Sequence, residues 1–337
     1  MSARRKKHSG LRRRLHLFMR KRARNLLVPL ALLSLFVIGV ASLHGSDEMF
    51  LHAKVLGAGQ IALLLALSMV NYVMRGLRWH LHTSALGVGT SVWQDMRHFL
   101  GGFAMTMTPG RLGELVRLRW ITRETGISIE SAAPLVLVDR AADLAAVGLL
   151  LALSVALSTV GIAGGLPVAI VAIAISIIAT RPAILQFLVT LAYRTLGFWP
   201  RPFARLRHAA RSLKPFSSFR VAPAALCFGA LGWFCEGYAF YLLLSWMGSD
   251  LGVWTAVGIF LFAMMTGGAT GMPGGLGGAE AAMVGLLSLQ GVPLAVSIPA
   301  TAIIRLTTLW FAILIGLIIF PLAERSARQG RYALERG

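Results

Sequence analysis

Cysteine is nearly absent from this chain of 337 residues. The two that occur, Cys227 and Cys235, fall in one apolar segment, which excludes a disulfide framework and a cysteine zinc site. The neighbouring histidines His80, His82 and His98 lack the spacing of metal ligands. A Ser-His-Asp arrangement and a Walker loop are also missing. We therefore expect no metal, no cofactor and no enzymatic activity.

Acidic residues are scarce as well. Only 13 Asp and Glu stand against 33 Lys and Arg, which gives a formal net charge of +20. The sequence has no polar stretch long enough for a separate soluble domain, whereas 56% of its residues are hydrophobic and its mean hydropathy is +0.72. Several windows approach the roughly 20 apolar residues that span a bilayer. These properties indicate a polytopic membrane protein with one membrane domain.

The positive charge is concentrated in two blocks without acidic residues, 1–24 and 181–220. Basic blocks beside membrane spans mark the cytoplasmic side and attract anionic headgroups of the inner leaflet. No nucleic-acid recognition module accompanies the charge. We therefore expect membrane lipids as partners, together with a possible lipid-modifying enzyme, and no nucleic acid.

Apolar segments predict the membrane elements. Six are predicted to span the bilayer: 26–43, 57–77, 131–158, 166–180, 222–247 and 293–321. Two others, 91–122 and 253–290, each contain an apolar helix, a Pro-Gly break and a second short helix. The arm after the first break carries too many arginines to cross lipid. The sequence predicts an all-α integral membrane protein with about six transmembrane helices and two re-entrant helical hairpins.

The two halves of the chain repeat one phrase. Pro109–Glu114 reads Pro-Gly-Arg-Leu-Gly-Glu, and Pro273–Glu280 begins Pro-Gly-Gly-Leu-Gly before its glutamate. An arginine follows each phrase inside an apolar run: Arg140 lies 31 residues after Pro109, and Arg305 lies 32 residues after Pro273. Broken hydrophobic segments in corresponding positions of two halves are typical of a transporter with its site between the halves.

The positive-inside rule orients these elements. It places both termini in the cytoplasm, with Arg75, Arg78 and Arg117 on the same side. The first hairpin then enters from the cytoplasm and the second from outside, which makes the repeats inverted. Full crossing by the second hairpin's first arm would instead put the C-terminus outside. The predicted divisions are a basic cytoplasmic tail 1–24, a membrane domain 25–322 with repeats at about 57–158 and 222–321, and a cytoplasmic tail 323–337.

Charges near the middle of the predicted spans are the candidate site, because a charge at that depth is costly unless it is paired or hydrated. Arg140 and Arg305 are suited to bind phosphate through their planar forks, and helices starting at the breaks would add free N–H groups. The alternative is a set of ion pairs, Arg140 with Asp143 and Arg305 with Glu236 or Glu280. The candidate substrate-binding residues are Arg111, Glu114, Asp139, Arg140, Asp143, Glu236, Glu280 and Arg305, and the hairpin-tip residues are Pro109, Gly110, Gly113, Pro273, Gly274, Gly275 and Gly277.

These motifs, with Val138, Asp139 and Arg140 between them, resemble the lysylphosphatidylglycerol synthetase transmembrane-region family, also called flippase-like. The resemblance covers roughly 55–320. It implies a multi-pass protein of the bacterial cytoplasmic membrane that moves an aminoacylated phospholipid, or serves a polyprenyl or hopanoid lipid pathway. The soluble aminoacylating domain of the namesake proteins is missing, so synthetase activity is not expected. Asp139 also stands where many relatives are expected to have glutamate.

The function predicted from the sequence is translocation of an anionic or zwitterionic lipid between leaflets through a polar cavity at the midplane. One alternative is an accessory subunit that binds a lipid intermediate without moving it. Another is a small-ion or metabolite carrier that uses Asp139 and Asp143 as cation sites.

Overall fold

Helices provide the regular structure of the protein. The computed structural model describes residues 56–108, 112–158, 165–180 and 213–334, with single positions at 184 and 187. Eleven α-helices run through these ranges, and none of the described residues forms a strand. The all-α prediction is therefore confirmed. The predicted span 26–43 and the basic tail 1–24 lie outside the described residues.

The described part of the first half holds six helices. They are α1 (Ala58–Ala85), α2 (Val92–Gly102), α3 (Leu112–Thr125), the single turn α4 (Ile129–Ala132), α5 (Pro134–Leu157) and α6 (Gly165–Thr180). Two boundaries follow from local chemistry. The Ser91 hydroxyl accepts the N–H of Gln94 and the Gln94 side chain accepts the N–H of Ser91, which caps α2. Pro134 starts α5, where its missing N–H is not needed.

The second half begins with three helices and ends in one long one. The first three are α7 (Val221–Trp246), α8 (Val253–Ala269) and α9 (Gly278–Leu289). The long one joins α10 (Leu294–Arg305) to α11 (Phe311–Leu334) through a π-helical turn, Leu306–Trp310. The Tyr72 hydroxyl donates to the Thr308 carbonyl in this turn at 2.5 Å. π-Helical turns inside α-helices are frequent at functional sites.

Among the described residues, four helical stretches are long and apolar enough to cross a membrane: Ala58–Ala85, Ile129–Leu157, Val221–Trp246 and Leu294–Gly330. They coincide with four of the six predicted spans, while α6 is apolar but shorter, so the six-span count stays a prediction. The last helix continues well beyond residue 321. Its extension is held by Glu324, which accepts hydrogen bonds from Arg119, Trp120 and Arg123 of α3. The predicted boundary at 322 between membrane domain and tail falls within this helix and stays a prediction.

Both predicted hairpins are broken helices whose arms pack on each other. The second break is built on glycines with positive φ: Gly271 at 68°, Gly274 at 63°, Gly275 at 68° and Gly277 at 80°. Other residues rarely adopt this left-handed conformation, so the glycines permit the sharp return. In the first hairpin the break lies between α2 and α3, and its tip residues Pro109 and Gly110 lie outside the described residues. Entry of each hairpin into the membrane from one side remains a prediction.

Small residues bring the helices of the two halves together. α1 packs along α7, and a Cβ atom added at Gly232 would lie 3.3 Å from the Asn71 backbone. α5 packs against both α6 and α7, and α11 packs against α2 and α3. Faces of α1, α3, α5, α7 and the π-helical turn thereby border one common space, where the charged residues collect.

Candidate functional site

The carboxylates of α5 are held by two arginines of α1. Arg78 is fully buried, and its guanidinium reaches Asp139 at 2.8 Å and Asp143 at 2.8 Å. Arg75 bonds the other oxygen of Asp143 at 2.7 Å. The Trp233 indole N–H also donates to Asp143, at 3.0 Å. This network offsets the cost of burying the charges and fixes α1 against α5 and α7.

A matching ion pair occurs in each half. Arg140 on α5 pairs with Glu114, near the start of the second arm of the first hairpin. Arg305, at the end of α10, pairs with Glu280, near the start of the second arm of the second hairpin, at 2.6 Å. The sequence repeat is thus also a repeat of contacts, because the same arginine–glutamate link ties each hairpin to the span that follows it.

The two pairs differ in how exposed their arginines are and in how many of the arginine nitrogens already contact other protein groups. The side chain of Arg305 is 3% exposed, and its Nε and Nη2 donate to Glu280 and to the Gly274 carbonyl, both at 2.6 Å. Its Nη1 contacts the Met264 sulfur at 3.6 Å. All three nitrogens of Arg305 therefore face protein groups. The side chain of Arg140 is 35% exposed and lies 3.6 Å from Asp143 besides its bond to Glu114.

A cavity of about 600 Å³ lies among these charges. Both halves contribute to its wall: α1, α3 and α5 from the first, and α7, α8 and the turn after α10 from the second. Val171 and Ile175 of α6 also line it, although both side chains are about half exposed on the apolar outer surface. The cavity therefore extends from the charged interior of the protein to its apolar outer surface.

The predicted site residues divide into three groups. The structure brings eight of them to the cavity wall: Gly113, Glu114, Arg140, Asp143, Glu236, Gly274, Gly275 and Arg305. Four others lie off the wall: Asp139 pairs with Arg78, Glu280 pairs with Arg305, and Pro273 and Gly277 belong to the second tip. Arg111, Pro109 and Gly110 lie outside the described residues.

Glu236 does not pair with Arg305, which was one of the two pairings considered from the sequence. Glu280 takes that place. Glu236 is 5% exposed and lines the cavity, and no ion pair joins it to another described residue. Its carboxylate is thus the one acidic group of the described wall without such a partner.

Three arginines make contacts that were not predicted from the sequence. Arg75 and Arg78 were predicted on the cytoplasmic side, which stays a prediction. The structure adds that both lie within α1, which continues to Ala85, and that both form ion pairs with carboxylates of α5. Arg117 was also predicted on the cytoplasmic side, and the structure shows that it is 5% exposed and lines the cavity. Its place three residues after Glu114 was the available signal, because such residues share a helix face.

The described residues contain no group of three His, Cys, Asp or Glu side chains that could hold a metal ion. The described cavity wall carries guanidinium groups, carboxylates, the Tyr72 side chain and the backbone of the second hairpin tip. Such groups bind and orient an ionic ligand by charge-assisted hydrogen bonds.

Comparison with known proteins places this geometry in context. The sequence model of the family described as Lysylphosphatidylglycerol synthase TM region matches residues 26–316. Two proteins of Methanothermobacter thermautotrophicus (strain Delta H), each described as a UPF0104 membrane protein, are also similar. One is 25% identical over 285 residues, covering 77% of this chain and 84% of the relative. The other is 24% identical over 294 residues, covering 77% and 81%.

Proposed function

The chain belongs to the Lysylphosphatidylglycerol synthase TM region family of membrane proteins, and from this premise we propose that it moves a lipid between the leaflets of a membrane. The proposed substrate is an anionic or zwitterionic phospholipid, or a polyprenyl- or hopanoid-type lipid. The proposed location of the protein is the bacterial cytoplasmic membrane, with both termini in the cytoplasm. The family supports a role connected with membrane lipids, and the transport step is our proposal.

One observation carries this proposal: a charged cavity with walls from both sequence repeats. Its volume of about 600 Å³ falls in the range of about 300–1,000 Å³ that ligand pockets occupy. A cavity with such charged walls among apolar helices favours an ionic headgroup over an apolar ligand, because unpaired charges are costly there. Sites between inverted repeats can be presented alternately to two sides of a membrane.

The wall suggests how a lipid would lie. The headgroup would enter the charged interior, where Arg140 is the more accessible of the two repeated arginines. In a zwitterionic lipid, Glu236 would contact the cationic part of the headgroup. The acyl chains would leave past Val171 and Ile175 and remain in the bilayer, so that only the polar part would be shielded from the hydrocarbon.

Of two other functions, one accounts less well for the contacts and the other accounts for them equally. A small-ion carrier would need Asp139 and Asp143 as cation sites, but Arg75 and Arg78 already neutralise them. An accessory protein that binds a lipid without moving it would have the same cavity and differs only in transport. We propose no catalytic activity, since the cavity groups that are not ion-paired resemble a binding site more than a nucleophile–base pair.

The proposal is tested in a strain that lacks the gene. A membrane-impermeant reagent that labels lipid headgroups from outside would report the outer-leaflet fraction of each lipid class. We expect that fraction to fall for one class in the deletion strain and to recover with the wild-type gene. Arg140→Ala should fail to restore it, whereas the exposed Arg328→Ala should restore it. Unchanged leaflet fractions in the deletion strain would contradict the proposal.

A further inference from the structure

Arg117 is a buried cation on the cavity wall that differs from the other wall arginines. It is 5% exposed, and no described residue forms an ion pair with it. Its Nε is buried without a hydrogen-bond acceptor among the described residues. An unpaired guanidinium at this position is costly. An anionic ligand in the cavity would offset this cost by accepting hydrogen bonds from Arg117.

The surroundings hold Arg117 without using its donors. Its guanidinium carbon lies over the Phe99 ring at 4.2 Å from the centroid, with the Trp79 and Phe103 rings each at 5.7 Å. A ring face attracts the cation through its π-system. The N–H donors of a guanidinium point outward in its plane, so a stacked arginine keeps its fork free for an oxyanion.

Gly102 provides the room for this arrangement. A Cβ atom added at Gly102 would overlap the Arg117 side chain at its Nε. Gly102 also lines the cavity beside Arg117. The lack of a side chain at Gly102, at the end of α2, therefore leaves the space that the Arg117 side chain occupies.

The charge balance of the wall points the same way. Four arginines line the cavity, and three of them have carboxylate partners: Arg75 with Asp143, Arg140 with Glu114 and Arg305 with Glu280. Arg117 is the remaining wall cation of the described part of the chain. Arg305, which repeats Arg140 in the sequence, already contacts a carboxylate, a backbone carbonyl and a thioether sulfur with its three side-chain nitrogens.

We propose that Arg117, rather than Arg305, is the principal phosphate-binding residue of the cavity, and that Arg305 holds the second hairpin tip. The inference rests on the proposed function in that the phosphate is taken to belong to a lipid. The N–H groups at the edge of the Arg117 guanidinium donate to the phosphate oxygens, while the aromatic rings contact the guanidinium and hold it in place. The ligand class is a phosphodiester or phosphomonoester headgroup.

The test is calorimetric titration of the full-length protein in detergent. The probes are dihexanoylphosphatidylglycerol, glycerol phosphate and dihexanoylglycerol, which separate a lipid phosphate from free phosphate and from the chains alone. Arg117→Gln should raise Kd for the phosphorylated lipid at least about tenfold, since a charge-assisted hydrogen bond contributes about 1.5–3 kcal/mol and 1.4 kcal/mol is tenfold. The matched control is Arg119→Gln, two residues on, which pairs with Glu324 off the cavity and should leave Kd within about twofold.

Two further variants guard against misfolding. Arg117→Lys keeps the charge and loses the fork, so its Kd should fall between those of the wild type and Arg117→Gln. Gly102→Ala changes no charge but displaces Arg117, so it should also weaken binding. Size-exclusion profiles matching the wild type identify the variants that are folded.

The outcomes separate the inference from the proposed function. Binding that depends on Arg117, with wild-type protein that moves no lipid, would uphold the inference and reject transport. Lipid movement with Arg117→Gln binding as tightly as wild type would reject the inference alone. The inference would also be overturned if dihexanoylglycerol bound as tightly as dihexanoylphosphatidylglycerol, or if neither phosphate-containing probe bound.

Discussion

The unequal burial of the two repeated ion pairs predicts unequal losses of stability. The Arg305–Glu280 pair has side chains that are 3% and 16% exposed, whereas in the Arg140–Glu114 pair they are 35% and 17% exposed. Removing one partner of a buried pair costs about 3–5 kcal/mol because the other charge remains. We expect about that loss for Glu280→Gln. Glu114→Gln should cost about 1–2 kcal/mol, between the values for exposed and buried pairs.

Thermal unfolding in detergent, followed by tryptophan fluorescence, measures this difference. At about 2–4 °C per kcal/mol, Glu280→Gln should lower the apparent melting temperature by about 6–20 °C, and Glu114→Gln by about 2–8 °C. The double variant Arg305→Gln with Glu280→Gln should regain much of the loss, since no charge is then left unpaired. A Glu280→Gln protein as stable as Glu114→Gln would refute the structural role given to Arg305.

Three other expectations follow from the described contacts. Gly267→Ala should destabilise the second hairpin by about 1–3 kcal/mol, since its Cβ would lie 2.7 Å from the Ala279 Cβ. Gly285→Ala, where the added Cβ has open space, is the control that should keep the wild-type melting temperature. Asp139→Asn should lower the melting temperature through Arg78 while leaving the Kd for dihexanoylphosphatidylglycerol near that of wild type, because Asp139 lies off the cavity wall. Reporters fused to either terminus should both read cytoplasmic, and an external C-terminus would contradict the inverted repeats.

The sequence predicted what depends on local pattern. Apolar segments of spanning length gave the all-α class, and the repeated Pro-Gly phrase located both helix breaks. The arginine–glutamate pairing of Arg305 with Glu280 was one of the alternatives considered, and the structure selects it. A fixed spacing along helices conveys such information because it determines which residues can share a face.

The rest depended on tertiary packing. Arg75, Arg78 and Arg117 were assigned by loop charge, and that rule counts arginines without knowing which helix they face. Arg78 is buried only because α5 presents Asp139 and Asp143 to it across helices. Arg117 is buried only because α2 supplies Phe99 beside a glycine. The spacing of Arg117 from Glu114 indicates a shared helix face, but it does not show which residues of other helices pack against that face.

The central claim is that lipid passes through this cavity, and blocking the cavity in liposomes tests it most directly. Cys227 and Cys235 would first be replaced by alanine, and Ala269, which lines the cavity, by cysteine. Purified protein should accelerate the exposure of inner-leaflet fluorescent phospholipid to an external quencher, and a bulky thiol reagent should stop this. The same reagent on Leu289→Cys, at an exposed position off the cavity wall, should have no effect. The account would be contradicted if transport continued after modification at Ala269→Cys. It would also be contradicted if the phospholipid became accessible to the quencher no faster in liposomes with protein than in protein-free liposomes.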